Sequence, residues 1–253
     1  MRTIFYYLLS LVPCFCFETL YWDFENRTEE AGKIVYKDRA GKSEFFVEVA
    51  PGVNVEEVNL EREKYPELNP LTSRAPLFLG KKSLLLTLPL EGEYDFKSFT
   101  LEFNFIVKEG GSSKGVQTVV GFEEYYPNEK IRNRSEWDHR GGFFVQYSPE
   151  NSSLAVMSYM VKKFELDFKI EKEKLYKFVY VQYQSFGVVY IDKQIIKIDK
   201  IYVPSTLKVP TLSIGGRKIL DSFEQMFQGI IDDFRLNPTI LESEQFLMNQ
   251  PKD

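Results

Sequence analysis

Between residues 98 and 107 (SFTLEFNFIV) every second residue is large and apolar. Phe99, Leu101, Phe103, Phe105 and Val107 share one phase, and Thr100, Glu102 and Asn104 take the other. A period of two describes a β-strand and no helix, and the reading is a strand with one face in a core and the other in water. Shorter runs rich in aromatic and β-branched residues recur at 45–49, 84–88, 116–122, 142–147, 154–160, 175–183, 186–191, 194–198, 212–214 and 227–236. Clusters of Gly, Pro, Asn, Asp and Ser separate them, the spacing of a sandwich or barrel rather than of βαβ units.

The first residues read as a secretory signal. Arg2 precedes the short apolar run 4–12, and Cys14 and Cys16 occupy the small −3 and −1 positions for cleavage after residue 16. Residues 17–253 are then a single secreted domain. A lipoprotein anchor on Cys14 is the competing reading, and Pro13 argues against it. Cleavage removes both cysteines of the chain, so the domain depends on its core, for which its length is sufficient. No later stretch is long and apolar enough for a membrane-spanning helix. The formal net charge is −5 with basic residues scattered, which excludes a nucleic-acid footprint. Asn26, Asn133 and Asn151 each head an N-x-S/T triplet and, in a eukaryotic secretory pathway, are surface glycan acceptors.

Local signals add detail. Asp192-Lys193 between two apolar runs reads as a tight hairpin, with Lys193 awkward where positive φ is required. Thr239-Ile240-Leu241-Glu242 after Pro238 fits a capping box, predicting a short C-terminal helix. Residues 50–76 form the longest polar segment and read as a long loop. In Phe227-Gln228-Gly229-Ile230-Ile231-Asp232-Asp233-Phe234-Arg235-Leu236, Phe227 and Ile231 share one phase while Phe234 and Leu236 share the opposite one. Burying all four requires one extra residue, so a β-bulge is expected at Asp232-Asp233. The bulge would present a carboxylate that needs amides, an arginine or a cation as partners.

The segment FQGIIDDFRL, followed by Leu241-Glu242-Ser243-Glu244, resembles the last strand and trailing turn of laminin-G-like domains of the concanavalin A-like superfamily. Trp22-Asp23-Phe24, Asp38 with Gly41, SFTLEFNFIV, Val189-Tyr190-Ile191-Asp192 and Leu212-Ser213-Ile214-Gly215-Gly216 agree in order. The resemblance implies an all-β, antiparallel two-sheet jelly-roll sandwich that binds carbohydrate or protein, commonly with a calcium ion. Asp23, Asp38, Asp232 and Asp233 are the candidate calcium ligands if the first and last strands pair, and capping of turn amides is the alternative use for them.

Function is read as recognition of a glycan or extracellular protein. The binding candidates are Tyr125, Tyr126, Trp137, Asp138, His139 and Arg140, an aromatic and charged loop suited to stacking on a sugar. Packing of Trp137 onto the sandwich is the competing reading. A subunit of an extracellular or envelope assembly is the second hypothesis. A glycosidase is the third: Glu165-Leu166-Asp167-Phe168-Lys169 approaches the E-x-D-x-E strand motif of glycosidases on this sandwich, but Lys169 stands where an acid is needed. His139 is the chain's only histidine, and no nucleophile elbow or phosphate loop is present. The expectation is that the chain is not an enzyme.

Overall fold

The computed structural model describes residues 19–30, 33–49, 57–59, 74–80, 84–90, 93–94, 96–110, 115–124, 142–158, 162–192, 194–199, 201, 207–208, 210–219 and 222–247. In chain order the strands are β1 (Leu20–Trp22), β2 (Arg27–Glu30), β3 (Lys33–Lys37), β4 (Glu44–Val49), β5 (Glu57–Asn59), β6 (Arg74–Leu79) and β7 (Leu84–Pro89). They continue with β8 (Glu93–Tyr94), β9 (Ser98–Val107), β10 (Gln117–Glu124), β11 (Gly142–Ser148), β12 (Ser153–Ser158), β13 (Lys162–Lys169) and β14 (Leu175–Tyr183). The last are β15 (Phe186–Ile191), β16 (Gln194–Asp199), β17 (Leu207–Lys208), β18 (Pro210–Ile214), β19 (Arg217–Ile219), β20 (Ser222–Glu224) and β21 (Gln228–Asn237).

Two antiparallel sheets form a sandwich, as the period-two pattern predicts. One has eight strands in the order β16-β15-β14-β9-β21-β6-β5, with β1 paired to β21; the other has nine, β13-β12-β11-β10-β18-β7-β4-β3-β2. Side chains of one phase on each strand meet between the layers. Phe103 stacks on its cross-strand partner Phe178 at 4.8 Å and Phe105 on Tyr176 at 5.5 Å. Phe99 reaches across the sandwich to Phe143 at 5.4 Å, edge to face. Trp22 of β1 packs on Phe45 at 4.3 Å and on Phe234 at 6.0 Å, joining first strand, last strand and opposite sheet. Such ring pairs add to the area term that holds the layers together.

The expected bulge is present. Asp232 lies opposite Asn104 and Arg235 opposite Glu102, so Asp233 and Phe234 together face the single residue Phe103. Asp233 takes φ 49°, a left-handed value that Asp tolerates better than most residues. The extra residue restores phase, and Phe227, Ile231, Phe234 and Leu236 all join the core. Gly229 in the same strand is sterically required, since a Cβ there would sit 2.1 Å from the Ile106 carbonyl oxygen.

Three expectations are corrected. The phase of β9 assigned to water is buried: Thr100, Glu102 and Asn104 are covered because the C-terminal segment folds back across this sheet. Among its described residues that segment holds no α-helix, only a 3-10 turn at Ser243–Gln245. The Thr239 hydroxyl donates to Asn237 Oδ1, so the turn begins at Glu242, whose N–H donates to Gln245 Oε1. Within 50–76, the polar segment read as a loop, Glu57–Asn59 pairs with β6 and extends the eight-stranded sheet. The Asp192 hairpin is tight, with Ile191 opposite Gln194 and Asp192 at φ 49°. Residues 1–18 lie outside the described residues.

Candidate functional site

The outward face of the eight-stranded sheet carries a polar stripe where four strands meet. On β9 the outward phase supplies Glu102 and Asn104, on β21 Asp232 and Arg235, on β1 Tyr21, and on β14 Lys177. Neighbouring residues on the same strands, Phe103, Phe234, Trp22 and Phe178, point into the core. Alternation thus places an apolar and a polar set back to back.

At the centre is Asp233. Its two carboxylate oxygens accept hydrogen bonds from the Tyr21 hydroxyl at 2.8 Å and from Asn104 Nδ2 at 2.9 Å. Burial pushes its carboxyl up to about 6, reinforced by the nearby Asp23 charge and opposed by the Tyr21 hydrogen bond, Lys177 and Arg39. Burial and the Asp233 charge push the Tyr21 hydroxyl upward, so it stays a donor. One position along, Glu102 is paired with Arg235, whose Nε donates at 2.6 Å, and accepts the Leu247 N–H at 2.7 Å. Burial pushes the Glu102 carboxyl upward, while Arg235 and the Leu247 amide favour its charge. Between the two acids lies a hollow lined by Glu102, Asn104, Lys177, Val179, Asp233 and Leu247. It has room for about one water molecule, the size of a hydroxyl rather than a sugar ring.

This arrangement offers a carboxylic acid balanced between its two charge states near neutral pH, with an amide, an amine and a phenol around it. That is suited to holding a hydroxyl or moving a proton. Of these residues sequence reasoning singled out only Asp232 and Asp233. Tyr21, Glu102, Asn104, Lys177 and Arg235 carry no local motif; their polarity in an otherwise apolar strand was the available signal.

The four predicted calcium ligands do not form one donor set. Asp38 Oδ1 accepts the Lys42 and Ser43 N–H groups at 2.5 and 2.9 Å, and Asp23 accepts the Glu25 N–H at 3.2 Å. Asp233 is held by Tyr21 and Asn104. Asp232 is buried beside it, opposite Asn104. Among the described residues, no three His, Cys, Asp or Glu side chains are grouped so as to hold a metal ion. Tyr125, Tyr126, Trp137, Asp138, His139, Arg140 and Asn133 lie outside the described residues. Asn26 and Asn151 are exposed. Glu165 and Asp167 face solvent on β13, with Glu165 paired to Lys163 at 2.9 Å.

No protein-family model matches the chain, and no curated protein matches it. Solved structures do match. The Trypanosoma rangeli sialidase in complex with 2,3-difluoro-KDN aligns over 91% of this chain and 31% of its own, with a TM-score of 0.60 at 15% identity. The same sialidase with sialic acid gives a TM-score of 0.59 at 14% identity, over 92% and 33%. Domain 4 of an extracellular arabinanase from Geobacillus stearothermophilus, in complex with arabinotriose, gives 0.57 at 12% identity, over 92% of this chain and 97% of that domain. The chain thus spans about a third of the sialidase chains it matches, and the likeness is one of fold.

These matches overturn the expectation that the chain is not an enzyme. That expectation rested on a missing strand motif and a scarcity of histidine, yet the sandwich is one that sialidase chains carry, and carboxylates far apart in sequence are gathered by strand register. The comparisons establish a two-sheet sandwich similar in fold to parts of a sialidase and an arabinanase.

Proposed function

We propose that this chain engages carbohydrate, as a laminin-G-like sandwich of the concanavalin A-like kind working outside the cell in the handling of glycans. The observation that carries the reading is the near end-to-end likeness to a sandwich domain whose structure holds an arabinotriose. The polar stripe supports it, because buried carboxylate, amide and amine groups around a hydroxyl-sized hollow are the chemistry that orients sugar hydroxyls. Titration calorimetry with arabino-oligosaccharides and with sialylated and neutral oligosaccharides tests it. Saturable heat with at least one class is expected. Absence of binding across all of them at millimolar concentration sinks the proposal.

Glycoside hydrolysis is the second reading, favoured by Asp233. A buried acid titrating near 6 beside a second carboxylate, Asp23, and the Tyr21 hydroxyl has the proton affinity that a general acid needs. Release of a chromophore from aryl glycosides that disappears in Asp233→Asn supports this reading. Release unchanged in that variant, or none from any glycoside, removes it.

A further inference from the structure

A sheet that does not close leaves edge strands with unpaired N–H and C=O groups, and proteins that stay monomeric defend such edges with charge. The nine-stranded sheet does so. On its edge β13, Lys163, Glu165, Asp167 and Lys169 all face solvent. On its other edge β2, Arg27 and Glu29 are exposed. The eight-stranded sheet ends in β16, beside β13 at one end of the sandwich, and β16 is different. Ile195 on its outward face is 61% exposed, and Tyr183 and Phe186 on the adjoining hairpin are 52% and 51% exposed. Three of the five large apolar side chains exposed among the described residues therefore lie on the outward face of the last three strands of one sheet, Tyr183 and Phe186 at one end and Ile195, opposite Tyr190, towards the other. Its described charges are Lys197 and Asp199, two apart and both on the outward face.

That spacing is self-complementary. A two-fold axis perpendicular to the sheet preserves its outer face, so antiparallel self-pairing of β16 must be centred on a residue. Centring on Lys197 sets like charges against each other. Centring on Ile198 sets Lys197 of each copy opposite Asp199 of the other, twice, with Phe186, the neighbour of Asp199 across β15–β16, one strand back from the seam.

We infer that β16 is a docking edge for a second copy of this chain, joined two-fold about Ile198 into one continuous sheet across both molecules. The β13 edge, beside it and charged, keeps the pairing to one sheet. Sedimentation velocity of the full-length chain over a concentration series tests this, with charge swaps at exposed positions that leave the core alone. A dimer is expected for the wild type. Lys197→Asp and Asp199→Lys each place like charges opposite each other twice, and each raises the dimer Kd about tenfold or more. The double swap restores both attractive pairs and returns the Kd towards wild type. A monomer at every concentration overturns the inference, as does a dimer indifferent to the single swaps. So does a monomer in which Ile195, Tyr183 and Phe186 become protected only on adding glycan, which assigns the face to carbohydrate.

Discussion

The sandwich interior and the polar stripe are built from the two phases of the same strands, yet they are held together by different physics. On β9, Phe103 stacks on a ring while the next residue, Asn104, donates to a carboxylate. Interior contacts are many, weak and tolerant of direction, so their strength scales with buried volume. Stripe contacts are few and directional, and each buried charge depends on a particular partner. The interior therefore resists changes of pH, whereas the stripe responds to them.

The largest effect is expected inside. Phe103→Ala removes a ring packed on Phe105 and Phe178 and is predicted to cost about 4 kcal/mol in urea unfolding at any pH between 5 and 8. Next comes the ion pair: Arg235→Met leaves Glu102 buried without its guanidinium, a loss of about 3 kcal/mol at neutral pH. This loss shrinks as Glu102 protonates on acidification, and Glu102→Gln in the same chain recovers most of it. A loss from Arg235→Met that does not depend on pH breaks the comparison.

Asp233 sharpens it. Its carboxyl is raised from 3.8 to about 6 on folding, so the native state favours the protonated form. Its contribution is full below about pH 4 and is lost as pH rises through about 6, amounting to roughly 2–3 kcal/mol. Asp233→Asn is predicted to flatten that part of the stability profile between pH 4 and 7. Tyr21→Phe removes one of the two donors to Asp233, for a cost of about 1 kcal/mol with the Asp233 titration moved higher still. Lys163→Ala at the exposed pair with Glu165 is the smallest, below about 0.5 kcal/mol. All five variants can be read by chemical unfolding across a pH series.

The interior was legible before any coordinates because periodicity is a local property: Phe99, Leu101, Phe103 and Phe105 declare their shared face within ten residues. The bulge at Asp232-Asp233 was legible for the same reason, as a break of phase. The stripe was not. Glu102 and Arg235 are separated by 133 positions, and only strand register brings them together. Thr100 and Glu102 looked like residues of a wet face because nothing in their own strand announces that the segment near Leu247 lies over them. The capping signal at Thr239 failed because Asn237 engages that hydroxyl first. A local motif competes with neighbours that a window of four residues does not contain.

The pairing of the first strand with the last has one further consequence. Leu20 stands opposite Leu236, and the Asn237 side chain donates to the Thr19 hydroxyl at 2.7 Å. The first and last strands thus form a single seam, after which the chain folds back over the same sheet to Leu247, and a sandwich whose opening and closing strands pair in this way is suited to splicing into a surface loop of a host protein. A circular permutant that runs a Gly/Ser linker from beyond Leu247 to the residue before Thr19, keeping the covering segment, and opens at the exposed turn beside Asn151 is expected to refold with the same sheets.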